Sequence, residues 1–393
     1  MPLTLYVDGP AWQEHLRAEV AADPGLVPVV KGNGYGFTVP VLAQTAADLG
    51  VAQIAVGTTE DAAVALGLFP GEVIVLETPG PADPLPPDPG GRLLYTAGSV
   101  EAAAALAGRR LIVDCRTSLR RQGIAETDLA ALAAVTDGGR AIEAFSLHLP
   151  IDRPPGTDPA AQTARWVTAL TAAGFAVRTM YVSHLEPAEL AALAAAFPAT
   201  SFRQRTGTRL WLGRRSALAA AGTVQQVFPV SRGERLGYRQ HRSARDGWLV
   251  MVAGGTAHGI GLIAPRSVHG LLPRARTLQR SGLAAINKVL SPFTWDGQRQ
   301  WFAEPPHMLV SMLLLPRDTV PPEPGMELHA ELRYTATRFD RVIQSSPEAR
   351  SGQLEPGRRF QERAGERARQ PEPAMCGTGD ACSHERRRPS SAA

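Results

Sequence analysis

With 393 residues, 44% of them hydrophobic, and a net charge of only +4, the chain can build two globular domains and carries little surplus charge for nucleic acid. Its arginines are dispersed rather than gathered in a basic stripe, and three cysteines, Cys115, Cys376 and Cys382, make no disulfide framework. No apolar run approaches the ~20 residues that span a bilayer, and Met1 to Asp8 lacks a charged then apolar leader, so a cytoplasmic protein with no membrane or nucleic-acid partner is expected.

Leu3–Val7 reads as a strand that could join either domain. From about residue 25 to 213, short β-type runs alternate with alanine- and leucine-rich helical stretches. The strands expected are Leu26–Lys31, Gln53–Val56, Glu72–Leu76 and Arg92–Tyr95, then Arg110–Cys115, Ile142–Leu149, Ala176–Ser183 and Thr200–Arg205. Helical stretches between them include Val41–Leu49, Val100–Ala107, Ala161–Ala173 and Ala188–Phe197. Eight such units predict a (β/α)8 barrel over residues 9–222, although a doubly wound sheet suits the same alternation. In a barrel, functional side chains come from the C-terminal ends of the strands, where Lys31, Arg121, His148, Ser183 and Arg205 all fall.

Residues 223–343 change texture to short strands broken by Gly and Pro, such as Gly247–Ala253, Gly259–Ile263, Met308–Leu315 and Leu328–Tyr334, and predict a β-rich C-terminal domain, with residues 1–8 as a possible further strand. Residues 344–393 are rich in Pro, Arg, Glu and Ser and nearly devoid of aliphatic residues, which predicts a disordered tail. The spacing of Cys376, Cys382 and His384 matches no common zinc module, so no metal is expected.

The chemistry is marked by lysine usage. Only two lysines stand against thirty-nine arginines, and one is Lys31 in Pro28-Val29-Val30-Lys31-Gly32-Asn33-Gly34-Tyr35-Gly36. A guanidinium stays charged and neither attacks a carbonyl nor serves as a base, so a lysine kept in an arginine-biased chain points to amine chemistry. Placed after an apolar strand and before glycines that allow close backbone approach, Lys31 is a candidate Schiff-base lysine.

That run resembles the pyridoxal-phosphate lysine motif of the alanine racemase family, V-V-K-A-N-A-Y-G, with Gly32 and Gly34 at the two alanines. Val113 to Gly123 resembles the family's K-V-D-T-G-M-x-R-x-G segment, with Arg121 at the arginine. Phe145 to Leu149 resembles its T-H-F strand end through His148, and Arg203 to Trp211 its R-P-G-I-x-L-Y run through Arg205. In the β-rich part, Gly233 to Tyr238 resembles G-E-x-V-x-Y-G, and His307-Met308 with Ser311-Met312 resembles C-M-D-Q-C-M.

The resemblance implies pyridoxal 5'-phosphate as cofactor, bonded to Lys31. It places Tyr35 and Ser183 (or its neighbour His184) at the phosphate, with the backbone of Gly207 and Thr208. It puts His148 against the ring, Arg205 at the pyridine nitrogen, and Arg121 at the phenolic oxygen and the substrate carboxylate, which Met308 also binds through its N–H. Tyr238 becomes the catalytic base opposite Lys31, supplied by the second chain of a homodimer with shared active sites. The function implied is two-base racemisation of a small amino acid, alanine first. The alternatives on the same barrel are a pyridoxal-phosphate decarboxylase and a non-catalytic cofactor-binding protein.

Departures from the family pattern are Asp114 at its often-carbamylated lysine, Arg116 at its aspartate, Thr256 at a tyrosine and Leu309 at a further aspartate. Whatever orients Arg121 must therefore differ here.

Overall fold

The computed structural model describes residues 1–262 and 289–345. The chain opens with β1 (Leu3–Val7) and α1 (Gly9–Ala22). Asp8 caps that helix, its carboxylate accepting from the N–H of Ala11 at 3.1 Å, and Pro10 sits in the first turn, where a missing N–H is harmless. Eight parallel strands then close into a barrel: β2 (Val27–Val30), β3 (Gln53–Val56), β4 (Glu72–Val75), β5 (Leu93–Ala97), β6 (Leu111–Cys115), β7 (Ile142–Leu147), β8 (Thr179–Val182) and β9 (Ser201–Thr206). Closure is made by β9 against β2, with Val27 opposite Arg205. The doubly wound alternative is thereby excluded. Helices α2 (Val39–Asp48), α3 (Thr59–Leu66), α4 (Val100–Ala105), α5 (Leu129–Val135), α6 (Pro159–Ala172) and α7 (Pro187–Ala196) lie between strands, and a short α8 (Thr208–Leu212) follows the last.

Strand periodicity explains the barrel's two cores. Val27, Val29, Ala55, Ile74, Leu94, Ile112, Ala144 and Tyr181 pack together inside the ring. Their neighbours Val30, Ile54, Val56, Val73, Val75, Val113, Phe145 and Met180 pack in a second, larger cluster, as alternation along a strand requires. The N-terminal rim is polar: Tyr181 and Arg203 both donate to Gln53, Gln53 reaches Glu72, and Arg110 bridges Glu72 and Glu143 at 2.6 Å each. This end holds the strands together and leaves the opposite rim free for chemistry.

The second part is an antiparallel sheet built on β10 (Leu218–Val230), with β11 (Arg235–Leu236) and β12 (His241–Arg242) forming a separate small hairpin. The remaining strands are β13 (Gly247–Ala253), β14 (Leu290–Trp295), β15 (Gln298–Phe302), β16 (Val310–Pro316), β17 (Glu327–Ala330) and β18 (Arg341–Gln344). The order β13-β16-β15-β14-β17-β10 returns on itself because β10 also pairs with β13. The N-terminal strand joins this sheet: β1 runs antiparallel to β10 and parallel to β18.

Among the described residues one expected strand, Gly259–Ile263, is absent over Gly259 to Leu262, and Ile263 lies outside them. Residues 256–258 form a helical turn, and Gly259 and Gly261 take φ of 83° and 80°, so the segment from Gly259 to Leu262 turns instead of extending. The expected tail, with Cys376, Cys382 and His384, lies outside the described residues. Among the described residues no helix is long and apolar enough to cross a membrane.

Candidate active site

The C-terminal ends of the barrel strands surround a cavity of about 660 Å³. Lys31, Tyr35, Arg121, His148, Ser183, Arg205, Gly207 and Thr208, eight residues scattered over the sequence, all line it. Lys31 follows β2 directly, and burial, helped by Arg121 and Arg205, pulls its amine below the ordinary lysine value while Glu77 opposes them. A lysine shifted this way is neutral more often at a given pH, which is what a nucleophilic amine needs.

The loop after Lys31 takes a left-handed path through Gly32, Gly34 and Tyr35, with φ of 62°, 60° and 54°. Glycine removes the Cβ cost at two of these positions. Asn33 anchors the loop, donating to the carbonyls of Tyr334 at 2.8 Å and Thr337 at 2.6 Å. The Tyr35 hydroxyl, pushed up to about 12 by burial, lies against Gly207, where any Cβ would overlap it. Behind this junction Trp12 stacks on Phe37 at 4.6 Å, its indole donating to Trp211 O, and Trp211 donates to Val29 O at 2.8 Å. The start of α8 is thereby fixed to the Lys31 strand.

On the far wall His148 follows β7. Burial, with Arg205, His184, Lys31 and Arg121 nearby, pushes its imidazole down to about 4. The buried Ser183 hydroxyl accepts from the N–H of Leu149 at 3.0 Å and lies 3.1 Å from His148 Nδ1. Its first structural role is thus to hold His148, a partner that sequence alone did not offer for a residue expected at a phosphate. His184 also lines the cavity, its ring edge-on to His148 at 5.7 Å.

Arg205, on β9, donates to the carbonyl of Leu147 at 3.1 Å. Nearby, the buried Asp114 accepts from the Ser146 hydroxyl at 2.6 Å and from the Gln122 amide at 3.2 Å. Burial raises the pKa of Asp114 while the Arg205 charge lowers it, and both side chains line the cavity. Arg121 is met by Glu77 at 3.7 Å, with both side chains more than half exposed. Arg116 turns elsewhere, donating to Gly123 O at 3.0 Å and facing Asp128 at 3.9 Å.

Glu77, Asp61, Asp114 and Gln122 line the cavity and were missed as site residues by sequence reasoning. Glu77 carried a usable signal, since it stands two residues beyond the end of β4, at the same rim as Lys31.

Tyr238 and Met308 are elsewhere. Tyr238 sits between β11 and β12 at 85% exposure, and Met308 just before β16 at 70%. Neither lines the cavity of its own chain. They are near one another, because the Tyr238 ring packs on that of His307, with centroids 4.5 Å apart.

A pyridoxal phosphate group suits the donor set of the cavity. It offers one deprotonatable amine in Lys31, a glycine whose missing Cβ makes room for a tyrosine hydroxyl, and two guanidinium cations, Arg121 and Arg205, for an anionic ligand.

Comparison with known proteins agrees with the fold. Residues 13–186 match the family described as alanine racemase, N-terminal domain. Among curated proteins there is no match. Among solved structures, alanine racemase from Bacillus anthracis with bound L-Ala-P is 16% identical, with a TM-score of 0.61 over 88% of this chain and 95% of that one. Alanine racemase from Bartonella henselae with covalently bound pyridoxal phosphate is 14% identical, with a TM-score of 0.60 over 88% and 100%. Histidine racemase from Leuconostoc mesenteroides subsp. sake is 14% identical, with a TM-score of 0.57 over 88% and 98%. At these identities the structural likeness speaks for the fold.

Proposed function

From the match of residues 13–186 to the alanine racemase N-terminal domain, we propose that this chain is a pyridoxal-phosphate-dependent racemase of small amino acids, alanine first. The observation that carries the reading is Lys31: one of two lysines in the sequence, at a barrel strand end, its amine lowered by burial and two arginines in a cavity with the remaining cofactor candidates. Lys31 would hold the cofactor, Tyr35 with the Gly207 and Thr208 backbone would take its phosphate, and His148 would pack on its ring. When bound, pyridoxal phosphate supplies the electron sink that acidifies the substrate Cα–H.

The chain's own residues do the rest. Arg121, with its fork of donors, holds the substrate carboxylate, and the Met308 N–H assists. Arg205 would face the pyridine nitrogen, where a guanidinium would disfavour protonation of that nitrogen and so limit side reactions. Lys31 removes or returns the Cα proton on one face and Tyr238 on the other. Tyr238 and Met308 do not line the cavity of their own chain, which supports the reading that they reach it from a second copy, in a homodimer with two shared sites. The exposed Tyr238, Met308 and Leu309 give the β-rich part an apolar face of the kind that marks an interface.

The test is a circular-dichroism screen of single-enantiomer amino acids with the cofactor-loaded protein. Loss of optical activity without loss of amino acid, fastest for alanine or a similarly small side chain, is the expected result. Release of carbon dioxide would replace the reading with a decarboxylase, and cofactor binding without turnover of any amino acid would replace it with a binding protein.

A further inference from the structure

Beneath Tyr238 lies a carboxylate–imidazole pair. Glu304 has a side chain only 2% exposed, and its Oε1 meets Nε2 of His307 and accepts from the backbone N–H of Tyr238 at 3.3 Å. A carboxylate withdrawn from water persists in a fold only when partnered, so both contacts are fixed features of this corner. Gly237, at a φ of 67°, lets the turn come this close, since a Cβ there would overlap the Glu304 carboxyl group. His307 is held at its backbone too, donating to Val310 O at 2.9 Å and accepting from the Thr256 N–H at 2.8 Å. Its ring carries the Tyr238 ring at 4.5 Å, the planes 46° apart. Carboxylate, imidazole and phenol therefore form one chain of contacts, with the phenol at its exposed end.

We propose that Glu304 and His307 are positioning residues for Tyr238: the buried carboxylate anchors the imidazole and the Tyr238 backbone together, and the imidazole face sets the angle and electrostatic surroundings of the phenol. This rests on the reading of Tyr238 as the proton-transferring group of a racemase. A tyrosine at 85% exposure has little packing of its own to fix it, and a base 1 Å out of place loses much of its effect. The Glu304–His307 pair supplies the rigidity that exposure removes.

Cofactor-loaded, full-length Glu304→Gln and His307→Gln proteins test this. Glu304→Gln keeps an acceptor for Tyr238 N–H but removes the charge facing His307, and His307→Gln keeps a donor to Glu304 but removes the ring. In each, kcat/KM should fall about tenfold and equally in both directions, a fraction of the ~10²–10⁴ that a general base contributes. The α-deuterium isotope effect should rise only for the enantiomer whose Cα proton Tyr238 removes, and the solvent isotope effect only for the other. A separate readout is the ring 13C resonance of Tyr238 in tyrosine-labelled chain, assigned with Tyr238→Phe, which should shift in both variants. A merely structural role would reduce the number of active sites and leave every isotope effect at its original value. Unmoved isotope effects with an unmoved resonance overturn the proposal while leaving the racemase reading intact. A parent protein that racemises nothing, or an undiminished Tyr238→Phe, overturns the reading beneath it and the positioning role as well.

Discussion

A lysine in a cavity with Arg121 and Arg205 is an electrostatic cost to the fold, and Lys31 bears that cost where an apolar residue would not. Lys31→Arg retains the charge and the length but cannot bond to an aldehyde. The variant should fold with a near-normal circular-dichroism spectrum, yet trap no pyridoxal phosphate on borohydride reduction. Trapping at the normal level would move the attachment to Lys288, outside the described residues. His148 allows a second residue-scale prediction. Its folded-state value, about 4, lies below the ordinary 6.5, so as pH falls the unfolded chain takes up a proton that the folded chain refuses. This contribution against folding is absent above the ordinary value and grows as pH falls toward about 4, where it levels off. His148→Phe should therefore lose less stability than the parent between neutral pH and pH near 4, read from urea midpoints. Equal losses in the two proteins would remove His148 from the account. The Arg121–Glu77 pair belongs to a different class: exposed pairs contribute ~0–1 kcal/mol, so its value lies in aiming Arg121, not in holding the barrel together.

At the scale of elements, the junction between the Lys31 loop and α8 decides whether a phosphate can be held. Gly207→Ala puts a Cβ where the Tyr35 hydroxyl lies, while Trp12 and Trp211 keep both segments from moving apart. Cofactor affinity should drop about tenfold, equivalent to ~1.4 kcal/mol, with fluorescence titration as the measure. Unchanged affinity would show that this junction does not hold the phosphate. The same junction marks the limit of reading from sequence. The eight barrel strands are legible because short β-type runs, most of them separated by alanine-rich helices, recur along the chain, and alternation along each fixes which side chains face the centre. The lysine motif is legible because the residues act within one loop. The partners of Arg121 and Arg205 are not, because Glu77 and the Leu147 carbonyl reach them from different strands, and that meeting depends on barrel register. Gly259 to Leu262 departs from the expected strand for a related reason: apolar residues alternating with glycine resemble a strand, but glycine at positive φ turns the chain.

For the whole molecule, the proposed second base is the point at which one chain is not enough. Sequence motifs pair Lys31 with Tyr238, yet no reading of one sequence tells whether two residues meet within a copy or between copies. Tyr238 at 85% exposure, with Met308 and Leu309 uncovered beside it, is unusual for an aromatic residue unless another surface covers it. If that surface is the barrel rim of a second copy, each site draws Lys31 from one protomer and Tyr238 from the other. Tyr238→Phe should then keep the cofactor, held by Lys31, and lose ~10²–10⁴ in racemisation rate. Lys31→Ala should be inactive for the opposite reason. Mixed in equal amounts and allowed to exchange subunits, the two form heterodimers in which one site carries both bases and the other carries neither. Half the dimers would then have one of two sites intact, so about a quarter of the parent activity should return. Recovery must follow the kinetics of exchange, and cross-linking the homodimers before mixing must abolish it. Two inactive proteins that remain inactive after verified exchange would leave Tyr238 without a route to the cavity and exclude the shared site.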